Sequence, residues 1–302
     1  MAKKLIPKPQ TQRNSDSNCD VAKTSAGFQI LLVITKQKIY KREKKNMILT
    51  VDIGNTNIKI GLFEKTGKLA NSFKMSTDVK RTSDEYVALL LQLLWHAKID
   101  EKSISGAVLS SVIPQLDYTF TNVIKYVFGV TPLVVGVGVK TGLAIKYDFP
   151  RELGSDRIIT CVAAEKQYGA PFVLVDFGTA TTYNVVNERK EFLGGAITLG
   201  LKSSIESLAH CTAKLPNVEL ETPSKTVAQS TKKAIQSGII FGAVGQVKYM
   251  VERIKMETGL QNAKIIATGG LSQIVNKVEP LFDFVDRELS LKGLFEIYRL
   301  NN

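Results

Sequence analysis

Two segments of this chain, about one domain length apart, have nearly the same sequence. They are Ile48-Leu-Thr-Val-Asp52-Ile-Gly54-Asn-Thr56-Asn57 and Phe172-Val-Leu-Val-Asp176-Phe-Gly178-Thr179-Ala-Thr181-Thr182. In each segment a short apolar run predicts a buried strand, and the glycine after the aspartate permits a tight turn with free backbone amides. Such a turn can hold phosphate oxygens while the aspartate holds a cation. One Asp-x-Gly alone is only a common turn signal. Two of them predict a duplicated α/β unit that closes on a nucleotide from both sides.

Length and charge limit the classes of protein to which the chain can belong. Its 302 residues are enough for two domains, and a hydrophobic content of 44% is ordinary for a globular protein. The net charge of +12 invites a nucleic-acid interpretation, but residues 1–46 contain 11 basic and 3 acidic residues, whereas the rest contains 29 and 25. The globular part is only mildly basic, as is typical of proteins that bind anionic substrates, so we expect no nucleic-acid partner.

The cysteines and the apolar stretch at 28–35 indicate the cellular compartment of the protein. Cys19, Cys161 and Cys211 are odd in number and lack metal-ligand spacing, which favours free thiols in a reducing compartment. The apolar stretch is too short to span a bilayer and follows a long polar segment, so it does not resemble a secretory signal. We therefore expect a cytoplasmic protein without a membrane partner.

Composition also predicts where the chain divides. Residues 1–46 have a basic, polar sequence that includes a lysine-rich run at 36–45, and we expect a disordered N-terminal extension. Met47, directly before the first predicted strand, would make a natural initiator. The remaining chain is expected to form an N-terminal domain at 47–165 and a C-terminal domain at 166–302.

From Met47 onward, predicted strands and helices alternate, which indicates α/β architecture with mixed sheets. Apolar runs predict strands at 48–51, 58–63, 107–112, 132–137, 172–176, 182–186 and 264–268. Helical spacing predicts helices at 84–97, 116–128, 156–168, 201–209 and 231–258. Ser83 is a candidate N-cap for the first helix, and Gly194-Gly195 suggests a turn.

Several further motifs occur in a fixed order along the chain. They are Gly154-Ser-Asp156-Arg157 with Tyr147 seven residues ahead, Gly194-Gly195-Ala-Ile, Ala213-Lys-Leu215-Pro216, Ser230-Thr231-Lys-Lys-Ala-Ile-Gln-Ser-Gly238 and Ala267-Thr-Gly269-Gly270-Leu. Together with the two glycine turns, they make the chain from Met47 to near its end resemble the type III pantothenate kinases. These belong to a superfamily with acetate and sugar kinases, actin and heat-shock chaperone ATPases. One departure is Leu199, where the family usually has proline.

The resemblance implies a fold and an activity. The fold would be two duplicated ribonuclease-H-like (actin-like ATPase) domains with mixed sheets and a nucleotide cleft between them. The activity would be ATP-dependent phosphorylation of pantothenate to 4′-phosphopantothenate, the first step of coenzyme A biosynthesis. A homodimer is also implied. So are Mg²⁺ with the ATP and a monovalent cation, K⁺ or NH₄⁺, whose ligand would be Asp176.

The resemblance also assigns roles to individual residues. ATP contacts fall on Asp52, Ile53, Gly54, Asn55, Thr56, Asn57, Ile58, Lys59 and Thr179. Pantothenate contacts fall on Tyr147, Gly154, Ser155, Asp156, Arg157 and Thr231. For Thr231 the alternative is a plain helix N-cap.

Residue chemistry supports two of these roles independently. Asp52 suits Mg²⁺, held through water, because Mg²⁺ prefers oxygen ligands and keeps much of its hydration; the alternative is a strand-end turn cap. Asp156 is the candidate general base for a hydroxyl substrate, with a helix N-cap as the competing interpretation. Arg157 could bind a carboxylate or phosphate bidentately, or form a surface ion pair with Glu165 or a neighbour.

Other features favour or weaken competing functions. The absence of a Gly-x-x-x-x-Gly-Lys-[Ser/Thr] motif excludes a P-loop, and neither His96 nor His210 has the neighbours of a triad or metal site. Two alternatives stay open: another small-molecule kinase of the same superfamily, and a non-enzymatic transcription accessory factor. The predicted helix at 231–258 carries more apolar residues than one face needs, which favours a dimer contact, with burial inside its own domain as the alternative. These residues are Ile235, Ile239, Ile240, Phe241, Val244, Val247 and Met250.

Overall fold

A computed structural model of the chain describes residues 46–302. The predicted N-terminal extension, apart from its last residue, lies outside the described residues, as do the apolar stretch at 28–35, the lysine-rich run and Cys19. Cys161 is buried and Cys211 exposed, and both thiols are free. Within residues 46–302, no helix is long and apolar enough to cross a membrane.

The first sheet has five strands in the order β3-β2-β1-β4-β5. Its strands are β1 (Met47–Ile53), β2 (Asn57–Glu64), β3 (Leu69–Ser76), β4 (Ile104–Ser111) and β5 (Leu133–Val134). The first three form an antiparallel meander, and β4 and β5 add in parallel beside β1. Helices α1 (Ser83–His96) and α2 (Pro114–Phe128) cover one face, where Tyr86, Leu90 and Phe120 are almost completely buried.

The second sheet has six strands in the order β11-β10-β7-β8-β9-β6. Its strands are β6 (Ala144–Ile145), β7 (Phe172–Phe177), β8 (Ala180–Val186), β9 (Glu191–Leu199), β10 (Lys264–Thr268) and β11 (Phe284–Val285). Again three consecutive strands, β7 to β9, form an antiparallel meander, and β10 lies parallel to β7. The helices of this half are α3 (Ser155–Tyr168), α4 (Leu201–Cys211), α5 (Thr231–Thr258), α6 (Ser272–Val278) and α7 (Leu289–Asn301).

Helices α3 and α7 join the two sheets. Residues of α3 and α7 pack in one core cluster with Val108 of β4 and Leu174 of β7, which belong to different sheets. On its other side α7 packs on β1 and β2, where Phe295 stacks on Phe63 with ring centroids 4.7 Å apart. This layer holds the ends of β1 and β7 next to each other and thereby positions the site.

The two halves repeat the same plan, which confirms the predicted fold class. Asp52 and Asp176 occupy equivalent places, each at the end of the first meander strand. Each pairs in register with a hydroxyl residue on the parallel neighbour, Asp52 with Ser110 and Asp176 with Thr268. The predicted boundary between residues 165 and 166 falls inside α3 and stays a prediction.

Three local predictions were wrong. Thr82, not Ser83, caps α1: its hydroxyl accepts from the Glu85 N–H, and the Glu85 carboxylate accepts from the Thr82 N–H, a reciprocal capping box. The strand predicted at 132–137 is only the short β5. Gly194-Gly195 lies inside β9 instead of forming a turn, because β9 pairs with β8 along its length, with an irregularity in the register at Val185 and Val186.

Candidate active site

The first glycine turn follows β1 and is held by its own backbone and by Thr77. The Gly54 N–H donates to the carbonyl oxygen of Asn57 at 3.0 Å. Thr77, just after β3, donates its hydroxyl to the Gly54 carbonyl oxygen at 2.7 Å and its N–H to the Thr56 carbonyl oxygen at 3.0 Å. Asn55 and Thr56 are exposed at the tip. The turn therefore presents polar groups on a fixed backbone, as a phosphate-binding loop requires.

The second turn follows β7 and is held by the start of α4. The Gly178 N–H donates to the carbonyl oxygen of Ala180 at 3.1 Å. The Thr179 carbonyl oxygen accepts from the Gly200 N–H at 3.1 Å and from the Ser203 hydroxyl at 2.8 Å. Thr179 itself is exposed.

The two turns touch, although they are far apart in sequence. The hydroxyl oxygens of Thr56 and Thr179 lie 2.9 Å apart and form a hydrogen bond. The fold thus brings together the predicted ATP residues of both halves. Ile53 and Ile58 flank the first turn with fully buried side chains, so that only their backbone groups remain to serve a ligand.

Three carboxylates lie close enough to influence one another. Burial raises the pKa of Asp52, whereas Lys59 and a hydrogen bond from Ser290 lower it and Asp156 raises it. Burial also raises the pKa of Asp176 to about 6; Lys59 acts in the opposite direction, and Asp156 and Asp52 raise it. These acidic groups, only partly offset by Lys59, make the site attractive to cations.

Lys59 and Ser290 tie Asp52 to α7. The Lys59 ammonium lies 3.8 Å from the Asp52 carboxylate and donates to the Ser290 hydroxyl at 3.2 Å. Lys59 pairs with Asp52 in register across β1 and β2, so the strand pairing itself sets this contact. Ser290 is almost completely buried at the start of α7.

The surroundings of Asp176 fit a monovalent cation. Gly269, with φ +92°, lies directly against it, and a methyl group added there would come within 2.5 Å of the Phe177 carbonyl oxygen and 2.7 Å of Asp176 Oδ1. The Asp176 carboxylate and the Phe177 carbonyl oxygen therefore both lie close to Gly269, where a side chain would clash with them. Oxygen donors of this kind suit hard cations.

The surroundings of Asp52 fit a hydrated divalent cation. Within residues 46–302 no group of three or more His, Cys, Asp or Glu side chains is placed to hold a metal directly. A single buried carboxylate beside the first phosphate turn matches the habit of Mg²⁺, which keeps several waters and shares the rest of its ligands with phosphate.

Asp156 and its neighbours stand at the start of α3. Gly154, not Asp156, is the N-cap, and Asp156 Oδ1 accepts from the Arg157 N–H at 2.9 Å. The Ser155 hydroxyl accepts from the Ser110 hydroxyl at 2.8 Å and donates to the Ser111 carbonyl oxygen at 3.2 Å. The helix start is therefore fastened to the end of β4, next to the strand that carries Asp52.

Arg157 is a buried residue, which excludes the surface ion pair with Glu165. Its side chain is only 6% exposed, and Glu165 instead pairs with Lys190 at 2.7 Å. The guanidinium lies 5.9 Å from the ring centre of Tyr147 and 5.5 Å from that of Phe192. Its Nη2 atom is buried without a hydrogen-bond partner among the described residues.

The structure brings together all but one of the predicted pantothenate residues. Tyr147 lies over Arg157 and against Gly194. Thr231 is the exception: it is exposed at the first position of α5, after the N-cap Ser230, and no hydrogen bond within residues 46–302 joins it to the others. Ser230 therefore has the capping role considered for Thr231.

Sequence reasoning missed several polar residues of the site. Ser110, Asn184 and Ser290 all contact predicted site residues. Asn184 carried a usable signal, because it is a polar residue within an apolar strand run. Ser290 carried none, since it lies 231 positions from the lysine that it contacts.

Comparison with known proteins identifies the family and the fold. The sequence model of the type III pantothenate kinase family matches residues 48–253. The structure is similar to a conserved putative Baf family transcriptional activator from Campylobacter jejuni, with a TM-score of 0.54 and 20% identity over 84% of this chain and 98% of the other. It is also similar to a reductive activator for corrinoid, iron-sulfur protein, with a TM-score of 0.51 and 12% identity over 86% of this chain and 61% of the other. These two likenesses concern the fold, whereas the family match covers most of the chain, which therefore belongs to the type III pantothenate kinase family of phosphotransferases.

Proposed function

We propose that this protein transfers the γ-phosphoryl group of ATP to the 4′ hydroxyl of pantothenate, the first step of coenzyme A biosynthesis. The observation that carries the proposal is the placement of Asp156 and Arg157 at the start of α3. Asp156 lies near enough to raise the pKa of both Asp52 and Asp176, whereas Arg157 is buried with an unsatisfied donor. A substrate with a hydroxyl at one end and a carboxylate at the other would use both residues.

The proposed ATP site is the junction of the two turns. Backbone amides of residues 54–57 and the hydroxyls of Thr56 and Thr179 would hold the phosphates, because phosphoryl transfer depends mainly on positioning and on neutralised charge. Lys59 would supply a positive charge beside Asp52.

Two cations would complete the charge balance. Asp52 would hold Mg²⁺ through water, and Asp176 with the Phe177 carbonyl oxygen would hold K⁺ or NH₄⁺. When bound, these ions neutralise phosphate charge.

Asp156 is proposed as the general base. Its carboxylate would accept the proton of the 4′ hydroxyl while that oxygen attacks the γ-phosphorus and ADP leaves. Asp156 suits this role because, within residues 46–302, only its Oδ1 accepts a backbone hydrogen bond, from the Arg157 N–H, and because Gly154 is the N-cap of the helix.

An assay of ADP release with pantothenate, with and without K⁺, tests the proposed activity. ADP formation that needs both pantothenate and K⁺ supports it. Equal turnover with other small hydroxyl substrates would favour the second candidate, another kinase of the same superfamily. Absence of turnover together with DNA binding in a gel shift would favour the transcription accessory factor. Within the cell we propose the cytoplasm, in keeping with the two free thiols.

The proposed active unit is a homodimer, but the reason differs from the sequence argument. Most of the apolar residues of α5 named above are buried in their own subunit. Ile235 is buried, and Ile240, Val244 and Val247 belong to one core cluster. Ile239 and Met250 pack against that cluster. Exposed apolar side chains are also found on β9, where Ile197 is 62% and Leu199 53% exposed.

The surface beside β9 suits close approach of a second chain. Leu199 lines one groove with Gly238 and Gly242 of α5. A methyl group added to either glycine, or to Gly245, would meet no atom of this subunit, so that the helix backbone is accessible there. We propose that a second copy covers this face and brings Thr231 to the pantothenate site. Light scattering at micromolar concentration tests the proposal, and a monomeric mass for the fully active enzyme would refute it.

A further inference from the structure

The buried guanidinium of Arg157 has no acidic partner in the part of the chain that the structure describes. It is 6% exposed, and no ion pair among residues 46–302 includes it. An uncompensated buried charge is costly, and it is usually retained where a ligand supplies the opposite charge. The Nη2 atom is buried, and its N–H groups have no acceptor among residues 46–302.

Asn184 supplies the contact that orients this guanidinium. Its Oδ1 accepts from Arg157 Nε at 2.6 Å, and its Nδ2 donates to the Thr182 hydroxyl at 3.0 Å. The second bond sets the orientation of the amide, so that the oxygen faces Arg157. Asn184 is fully buried in β8 and has little freedom to move.

Two aromatic rings limit the other movements of the guanidinium. Tyr147 and Phe192 both lie within cation–π distance of Arg157, and their own ring centres are 6.2 Å apart. Rings can stabilise the charge but cannot accept its N–H groups in a directed way. Asn184 is therefore the residue that sets the rotation of the guanidinium.

The Asn184 contact engages only one edge of the guanidinium. It satisfies the Nε–H, whereas the Nη2 atom stays without an acceptor among residues 46–302. Hydrogen bonds between a guanidinium and a carboxylate are directional, so rotation of the plane would weaken them.

We propose that Asn184 is a positioning residue that presents the Nη edge of Arg157 to the carboxylate of the substrate. This inference rests on the proposed function for the identity of the substrate, but the Asn184–Arg157 contact itself can be tested separately. Asn184 would set affinity for the anionic end of pantothenate without taking part in phosphoryl transfer.

Steady-state kinetics of Asn184→Ala and Asn184→Asp test the proposal. Loss of a hydrogen bond to a charged group predicts that Asn184→Ala raises the KM for pantothenate about tenfold or more, while kcat changes by less than about threefold. Asn184→Asp keeps the acceptor for Nε and should restore KM to within about threefold of wild type. An unchanged KM in the alanine variant, or an aspartate variant as impaired as the alanine variant, would overturn the role.

Two controls separate positioning from a loss of structure. Asn187→Ala removes another buried asparagine at the end of the same strand, whose Nδ2 donates to Glu191, and should lower stability without changing KM. A neutral alcohol analogue of pantothenate should show the same KM with wild type and Asn184→Ala, because it lacks the carboxylate. A raised KM for this analogue too would contradict the proposal.

A second measurement does not depend on the substrate. In protein labelled with ¹⁵N-arginine, the Arg157 Nε–H should exchange slowly with solvent in wild type and Asn184→Asp, and rapidly in Asn184→Ala. If wild type does not phosphorylate pantothenate, the proposed function fails, and this exchange still decides whether Asn184 holds Arg157. Equal exchange rates in all three proteins would refute the positioning role.

Discussion

Asp176 should make the binding of K⁺ depend on pH near 6. Burial raises the pKa of this carboxyl from 3.8 to about 6, with Lys59 opposing and Asp156 and Asp52 reinforcing the shift. At the proposed site the cation binds the ionised carboxylate of Asp176, so that the proton and K⁺ compete. One pH unit below the pKa, only about a tenth of the carboxyl is ionised, and the apparent affinity for K⁺ at pH 5 should be about tenfold weaker than its value at high pH.

The pKa shift of Asp176 also makes the stability of the folded state depend on pH, and the direction depends on whether K⁺ is bound. Because the folded carboxyl holds its proton more tightly than the unfolded one, this group alone makes the folded state less stable as the pH rises from 3.8 to about 6. Bound K⁺ offsets that loss, so the increase in Tm on adding K⁺ should grow across the same range.

Thermal unfolding without nucleotide measures this effect. K⁺ is titrated at pH 5, 6 and 7 with tetramethylammonium keeping the ionic strength constant, and Asp176→Asn serves as the control that cannot ionise. Equal K⁺ effects at pH 5 and pH 7 in wild type, or an unchanged K⁺ effect in Asp176→Asn, would refute the reasoning. In the activity assay, full turnover of Asp176→Ala, or Na⁺ replacing K⁺ without loss, would do the same.

Three further predictions concern the base, the N-terminus and the helix layer. Asp156→Asn should lower kcat about 10²–10⁴-fold with ATP binding and Tm nearly unchanged, because the isosteric change removes only the base; wild-type turnover would disprove the assignment. A chain that starts at Met47 should keep the melting temperature, the dimer and the turnover, since β1 begins there, and a large loss in any of them would show that the extension is structural. Gly293→Ala should lower the stability by about 1–3 kcal/mol or more, because the added methyl group would overlap the carbonyl oxygen of Ile159 in α3. Gly136→Ala, where a methyl group meets nothing, is its control in the same thermal melts, and equal stability of the two variants would contradict the close packing of α3 and α7.

Local patterns were sufficient to predict the main strands, the long helices and both glycine turns. The runs before Asp52 and Asp176 are continuous and apolar, as expected for strands buried on both faces, and β1 and β7 are buried along nearly their whole length. The apolar spacing of α5 likewise predicted a helix at 231–258, and the structure has a helix with the same bounds, Thr231–Thr258. Such signals survive in the sequence because each depends on neighbours within a few residues.

Strands with weak or mixed patterns could not be predicted in this way. β3 is partly exposed along its length, and β9 contains Gly194 and Gly195, so their hydrophobic alternation is poor. Both form because the meander offers each of them the free edge of an existing strand. Backbone hydrogen bonds to that edge, more than side-chain propensity, select their conformation.

The residues of the site, too, were predictable from the sequence only in part. The residue types at the turns and at the start of α3 indicated which groups could do chemistry. Carboxylates, hydroxyls and an arginine directly after buried strands and at a helix start are typical of binding and catalytic sites. Which of them meet depended on packing of α7 between the sheets, which brings Ser290 to Lys59, and on β8, which places Asn184 against Arg157. Contacts between residues so distant along the chain depend on the burial of whole helices and sheets. The free energy of this burial is spread over many side chains, so no single segment has a pattern that predicts the contact.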